Sequence, residues 1–297
     1  MSRRLTVFSA TVLVFLGVVG LFLLATGSWG RAGGDGGSLF GPKVAIVELE
    51  GLIAETDDLV RELRQHRDNP SIKAVVIRIN SPGGVVGPTQ EVYDALRHLR
   101  EAGKPVVASL GAVAASGGYY IAVGADQIYA NPGSLTGSIG VIMQMANVDA
   151  LMKKVGVEYI VVKAGAYKDI GNISRPMTPE ERRVLQTLLD DVHDQFIDAV
   201  AKGRKLPREQ VVKFADGRVF SGTQALSLKM VDALGGLEEA VNAAAKLANL
   251  PIPPAVERPR RRFSIIDLLR SELGLPAPGS LLRPGLPLFK TPLYLMD

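Results

Sequence analysis

Three apolar, β-branched runs in this chain each end in a segment of small residues, and this pattern restricts the fold more than any other feature. Residues 73–79 (KAVVIRI) lead into Asn80-Ser81-Pro82-Gly83-Gly84. Residues 106–110 (VVASL) lead into GAVAASGGYY, and residues 127–130 (QIYA) into NPGSLTGSIGVI. A first run at residues 43–50 (KVAIVELE) and helical periodicity at residues 56–67 and along Val92, Leu96 and Leu99 fill the spaces between them. Strands that alternate with helices predict βαβ units around a parallel sheet. In an open α/β sheet the binding crevice lies beyond the strand ends, where these small-residue segments fall. A further strand is expected at residues 158–163. A long helix is expected from Pro179 to about Lys202, with Thr178 as N-cap, Pro179 in the first turn and Glu180-Glu181 against the positive end of the dipole.

The chemistry open to such a chain is narrowed by what it lacks. It has 297 residues, 47% hydrophobic and 22% charged, with no cysteine. Disulfides, thiolate nucleophiles and thiolate-held metals are excluded. A net charge of +4, spread among nearly as many acids as bases, gives no basic patch for nucleic acid. His66, His98 and His193 lie in polar helix-like stretches without HxxxH spacing and are expected on solvated faces. A hydrolytic reaction here needs a base other than imidazole.

The two ends differ from the middle. Arg3 and Arg4 precede an uncharged run over residues 5–25, long enough to cross a bilayer as a helix. Its exit, Thr26-Gly27-Ser28-Trp29, does not resemble a signal-peptide cleavage site, and Trp29 suits a membrane interface. The expectation is an uncleaved anchor over residues 1–26, N-terminus cytoplasmic and the bulk of the chain extracytoplasmic, followed by a Gly-rich tether at 27–42. A structured domain is expected over 43–250 and a Pro-rich tail over 251–297. Nine of the 18 prolines fall at or after Pro251. Within the tail, Arg260-Arg261-Arg262 precede a stripe of Phe263, Ile266, Leu269 and Leu273, which suits docking on the body, on a neighbouring subunit or on an anionic membrane.

Four segments carry candidate chemistry. The Ser81-Pro82-Gly83-Gly84 turn can aim backbone N–H groups at a carbonyl or an anion, or serve as an ordinary tight turn. Ser116, flanked by Ala114, Ala115, Gly117 and Gly118, enters a helix-forming run. There it is either a plain N-cap or a nucleophile beside unpaired N–H donors. The hydroxyls of Ser134, Thr136 and Ser138 can orient a neutral amine or simply face water. Lys168, in GAYKD, acts as a base only if desolvation lowers its pKa.

In this order (SPGG, AASGGYY, TGSIGV, GAYKD, then ADGRVFSGTQAL and VDALGGLEEA) the motifs resemble the signal peptide peptidase A family of Ser–Lys proteases, from about Val44 to Leu250. The turn alone is shared with caseinolytic (Clp-type) proteases, which add a His and an Asp, and with crotonase-fold acyl-CoA enzymes. The resemblance implies a crotonase/Clp-type fold of repeated ββα units, and peptide-bond hydrolysis without cofactor or metal. It makes Ser116 the nucleophile and Lys168 the general base, with Gly83, Gly84 and Gly117 forming the oxyanion hole and Ser138 orienting the lysine. Substrates in this family are remnant signal peptides or other membrane-proximal polypeptides. Val85 and Val86 are our candidates for an apolar specificity pocket. The short, single-copy form of the family implies a homo-oligomer, a tetramer or octamer whose neighbours complete each site. The alternatives are a protease of the stomatin-operon type, a crotonase-fold acyl-CoA enzyme and a non-catalytic membrane-tethered scaffold.

Overall fold

A computed structural model describes residues 41–258 and 293–295 of the chain. The apolar run at residues 5–25, the Gly-rich stretch before Gly41 and the Phe263 stripe lie outside the described residues. No helix among the described residues is long and apolar enough to cross a membrane.

The expected alternation is present. Strand β1 (Lys43–Glu50) is followed by helix α1 (Asp57–Asp68), strands β2 (Ile72–Ser81) and β3 (Gly83–Val85), and helix α2 (Val86–Glu101). Strand β4 (Val106–Ala115) then feeds the short helix α3 (Gly117–Ala122), strand β5 (Gln127–Ala130) and strand β6 (Leu135–Gly137). Helices α4 (Asp149–Val155), α5 (Pro179–Arg204) and α6 (Arg208–Val212) come next. Strand β7 (Val219–Ser221), helix α7 (Gly222–Ser227), strand β8 (Ala233–Leu234) and helix α8 (Leu237–Leu247) lead to β9 (Val256–Glu257) and, near the C-terminus, β10 (Leu293–Leu295).

β1, β2 and β4 form the parallel centre of an eight-stranded mixed sheet ordered β7-β6-β4-β2-β1-β9. Strand β4 forks. Val107–Leu110 pair with β5, and Val113–Ala115 pair with β6. Ten residues of β4 continue without a break to Ser116, where the sequence suggested a strand ending at Leu110. Small side chains permit this. A Cβ on Gly111 would stand 3.0 Å from the Ile79 carbonyl oxygen, so the strand passes that point only without one. Asn80 closes the irregularity by accepting the Val113 amide at 3.2 Å.

Both sheet faces are covered, which explains strands that read as near-continuous apolar runs. Val44, Ile46, Ala74, Val76 and Val107 meet Ala240, Val241, Ala244 and Ala245 of α8. The alternate residues Ala45, Val47, Val75 and Ile77 enter the larger core with Leu63, Leu96, Tyr119 and Phe196. Tyr120 links Tyr93 and Phe196 through ring contacts at 5.1 and 5.0 Å. Helix α5 opens with the expected cap: Thr178 Oγ1 accepts the Glu181 amide, and Glu181 returns a bond to the Thr178 amide, a full capping box.

Two expectations need correction. Residues 158–163 form no strand despite their β-branched composition, and no strand among the described residues pairs with them. Tyr159, Ile160 and Val162 stand exposed. His66 is buried, beside Glu62 at 3.6 Å, because α1 turns that face onto the body. The Nε2 atom of His193 is likewise buried, while His98 is exposed as expected.

Candidate active site

Ser116 occupies the single residue between the end of β4 and the start of α3, at φ 52° and ψ −117°. A non-glycine residue there is strained, and an abrupt strand-to-helix turn of this kind projects a side chain away from both elements. Two backbone bonds enforce it. The Ser116 amide donates to the Gly137 carbonyl at 2.7 Å, and its carbonyl accepts the Tyr120 amide at 2.8 Å. The side chain makes no cap bond, and its buried Oγ has no hydrogen-bond partner among the described residues. Ser116 is therefore not a plain N-cap. A buried hydroxyl left without a partner carries a penalty of about 1–3 kcal/mol, which a purely structural residue has no reason to bear.

The glycine turn lies against it. Gly83 has φ 106°, a conformation that favours glycine. A Cβ on Gly117 would meet the Gly83 Cα and the Gly84 nitrogen, each at 3.2 Å, so the two segments come this close because Gly117 lacks a side chain, while a Cβ on Gly84 would collide with the Ile53 carbonyl oxygen at 2.0 Å. Gly84 is held from behind: Ile53 donates to the Gly83 carbonyl at 2.9 Å, and Val85 donates to the Ile53 carbonyl at 2.7 Å. The Gly83 amide is engaged by Ser81 Oγ at 3.1 Å. Because neighbouring residues of a strand point their backbone groups to opposite sides, Gly84 directs its N–H away from Ile53. On that side lies β10, antiparallel, with Tyr294 opposite Gly84 and Leu295 opposite Gly83.

Sequence reasoning missed two participants. One is β10 itself, a three-residue apolar stretch too short to register as a strand. The other is Thr89, buried on α2, which donates to the Val85 carbonyl at 2.8 Å. Its Oγ1 stands 2.9 Å from the place a Gly117 Cβ would occupy, so it leaves no room for a side chain there. The i to i−4 spacing of a hydroxyl at a helix start is the signal that could have found it.

Ser138 follows the carbonyl that receives the Ser116 amide. It is buried, has φ 51°, and donates its own amide to the Arg218 carbonyl at 2.8 Å. Ser134 and Thr136 are spent on structure, donating to Gly111 and Ala114 carbonyls at 2.6 and 2.7 Å. Lys168 lies elsewhere. It is exposed, on an irregular segment between α4 and α5, and it does not reach the unpartnered Ser116 Oγ. The structure thus brings Ser116, Gly117, Gly83, Gly84 and Ser138 together and leaves Lys168 apart within the one chain. A groove of about 470 Å³ beside Arg175, lined by Met143, Met145 and Met177 among others, includes none of these residues.

The neighbourhood of Lys168 is nonetheless ordered. Asp169 pairs with Lys163 and, at 2.9 Å, with Arg175 Nε. Arg175 also pairs with both carboxylate oxygens of Glu181. The Arg175 and Lys163 hydrogen bonds hold the Asp169 carboxyl far below its ordinary range. Arg175, together with the Thr178 amide, lowers Glu181 to about 2.

Comparison with known proteins points to a family of peptidases. The chain matches the model of Peptidase family S49 over residues 98–251 and that of Clp protease over residues 45–136. It is 48% identical to a putative protease of Synechocystis over 216 residues, covering 72% of this chain and 77% of that one. It is 31% identical to a putative signal peptide peptidase SppA of Enterococcus faecium over 228 residues, covering 72% of this chain and 66% of the relative. It is 37% identical to Protease 4 of Haemophilus influenzae, again over 72% of this chain but only 36% of the relative, so it spans about a third of that protein's length. With its strained serine, its glycine turn and these matches, the chain belongs to peptidase family S49, the signal peptide peptidase A family of serine peptidases.

Proposed function

We propose that this chain is a membrane-anchored serine endopeptidase acting on remnant signal peptides or other membrane-proximal polypeptides through a Ser116–Lys168 dyad. The observation that carries the reading is the buried Ser116 hydroxyl, held at φ 52° without a partner beside the Gly83–Gly84 turn. In this reading the Lys168 amine removes the hydroxyl proton as the Oγ–carbonyl bond forms, then returns it to the leaving amine. The Gly84 and Gly117 amides receive the oxyanion, and Gly83 shapes the turn that presents them. Ser138 orients the amine.

The pairing of β10 with β3 supports an extended peptide as substrate. Binding by strand addition places backbone groups on the Gly84 side and leaves alternate side chains to select sequence. The apolar Val85 and Val86 beside the turn suit a hydrophobic side chain.

The separation of Lys168 from Ser116 supports completion of the site by a second copy. The exposed run Tyr159, Ile160, Val161 and Val162 has strand composition and no strand partner among the described residues, which fits pairing with a neighbouring subunit. The anchor over residues 1–26 and an extracytoplasmic catalytic domain follow from the apolar run and the arginines that precede it.

The test uses the full chain, purified in detergent, with a fluorogenic peptide. Ser116→Ala and Lys168→Ala are each expected to lose activity by orders of magnitude. Mixed and reassembled, the two inactive variants are expected to regain part of it, since one supplies the lysine and the other the serine. Near-normal cleavage by Lys168→Ala would refute the base assignment. Inactive mixtures that nonetheless contain mixed oligomers would place the dyad within one chain.

A further inference from the structure

We propose that Arg175 is a positioning residue for Lys168, clamping the adjacent Asp169 to the buried Glu181 in the first turn of α5. The inference rests on the reading of Lys168 as general base and adds the device that holds it.

Lys168 lies on a segment with little backbone support. The hydrogen bonds formed by its own stretch are local turns: Lys168 to Gly165 at 3.2 Å, Ile170 to Tyr167 at 3.1 Å and Asn172 to Asp169 at 3.0 Å. Such bonds shape a loop without fixing it to the body. A catalytic base misplaced by about 1 Å costs on the order of 100-fold in rate, so a functional lysine here needs an external brace.

Arg175 supplies a brace with a rigid geometry. Its Nε reaches Asp169 Oδ2 at 2.9 Å, and its Nη2 reaches the Asp169 carbonyl at 3.4 Å, so both backbone and side chain of that residue are held. Its two terminal nitrogens take the two oxygens of Glu181, with Nη1 to Oε2 at 2.8 Å. Glu181 is only 3% exposed, and it accepts the Thr178 amide at 2.9 Å in the capping box. Helix α5 is itself anchored by Phe196 and Val200, both fully buried. A continuous line of bonds therefore runs from the core through α5, Glu181 and Arg175 to the residue next to Lys168. Lys163 occupies the other Asp169 oxygen and also donates to the Ala166 carbonyl at 2.8 Å, closing the loop around residues 163–169. Asp169 is thereby committed as a strut.

The planar fork is essential to this arrangement. A lysine at position 175 would preserve the charge but could not grip two carboxylates along fixed directions. A simple exposed ion pair, by contrast, would contribute no more than about 1 kcal/mol of stability and have no bearing on the rate.

The test compares wild type, Arg175→Lys, Asp169→Asn, Lys168→Ala and Arg208→Gln in the full chain. Arg208, in α6, pairs with Asp194 and Asp198 of α5, outside the site, and serves as the control. Arg175→Lys and Asp169→Asn are expected to lower kcat by about 10- to 100-fold with KM unchanged. Arg208→Gln should leave both unchanged. If Arg175→Lys keeps wild-type kcat and KM while Lys168→Ala is inactive, the brace is overturned and the base assignment stands. If Lys168→Ala is active, the base assignment itself falls. Loss of folding in both Arg175→Lys and Asp169→Asn overturns the proposal too, by making the clamp an element of stability.

Discussion

The amide of Ser116 donates to the carbonyl of Gly137 over 2.7 Å, which ties the strained serine to the turn that carries Ser138. Gly137 has φ 84°, and a Cβ there would stand 2.6 Å from Phe220 Cδ2. Gly137→Ala is therefore expected to destabilise the fold by about 1–3 kcal/mol and to weaken peptide cleavage together with it. Gly133→Ala, where nothing lies within 4 Å of the added Cβ, should be silent in both assays. Denaturant melts and a cleavage assay on the pair measure this; equal stability of the two variants would contradict the steric account.

Replacing Ser116 by glycine removes both the positive-φ penalty and the unpartnered hydroxyl. The expected result is an inactive protein more stable than wild type by about 1 kcal/mol. A residue retained only for structure would give the opposite sign. Chemical denaturation of Ser116→Gly beside Ser116→Ala reads the difference, since alanine keeps the backbone strain.

Strand β10 lies on the edge of β3 that an extended substrate would use. A tethered strand competes at an effective concentration on the order of millimolar. Deleting residues 293–297 is expected to lower KM for peptide substrates with little change in kcat. Identical KM values for the truncated and full chains would show that the tail strand does not compete.

The Arg175 clamp carries a pH signature whose sign follows from depressed carboxylate pKa values. Glu181 is lowered from 4.5 to about 2, chiefly by its bonds to Arg175, and Asp169 is lowered as well. A depressed folded-state pKa contributes stability that is present above the unfolded value and lost as pH falls through the folded one. Wild type should thus exceed Arg175→Gln in stability at neutral pH, and the gap should close between about pH 4.5 and 2. Thermal melts of the two proteins across that range provide the measurement; a gap that stays constant with pH would remove the carboxylates from the account.

Much of the fold was legible from local pattern. β1, β2 and the helix from Pro179 carry strong periodicity and a full capping box, and those signals depend only on residues close in sequence. The small residues at positions 83, 84 and 117 were likewise readable, because a turn that must approach another backbone tolerates nothing larger. Residues 158–163 misled for a related reason. β propensity describes a surface ready to pair, and no strand among the described residues pairs with it. His66 misled because a polar stretch does not reveal which face of its helix is covered.

The sequence by itself determined the residue types for acyl transfer, their order along the chain and the absence of any thiol or imidazole pair to compete with them. Only tertiary structure decided that β4 runs unbroken into Ser116, that Gly117 rests on Gly83–Gly84, that the C-terminal strand lies on β3, and that Lys168 stands away from Ser116 within one chain. The division has a physical cause. Backbone turns and helix caps arise from interactions a few residues long, whereas burial, strand pairing and the meeting of distant side chains depend on how the whole chain is packed.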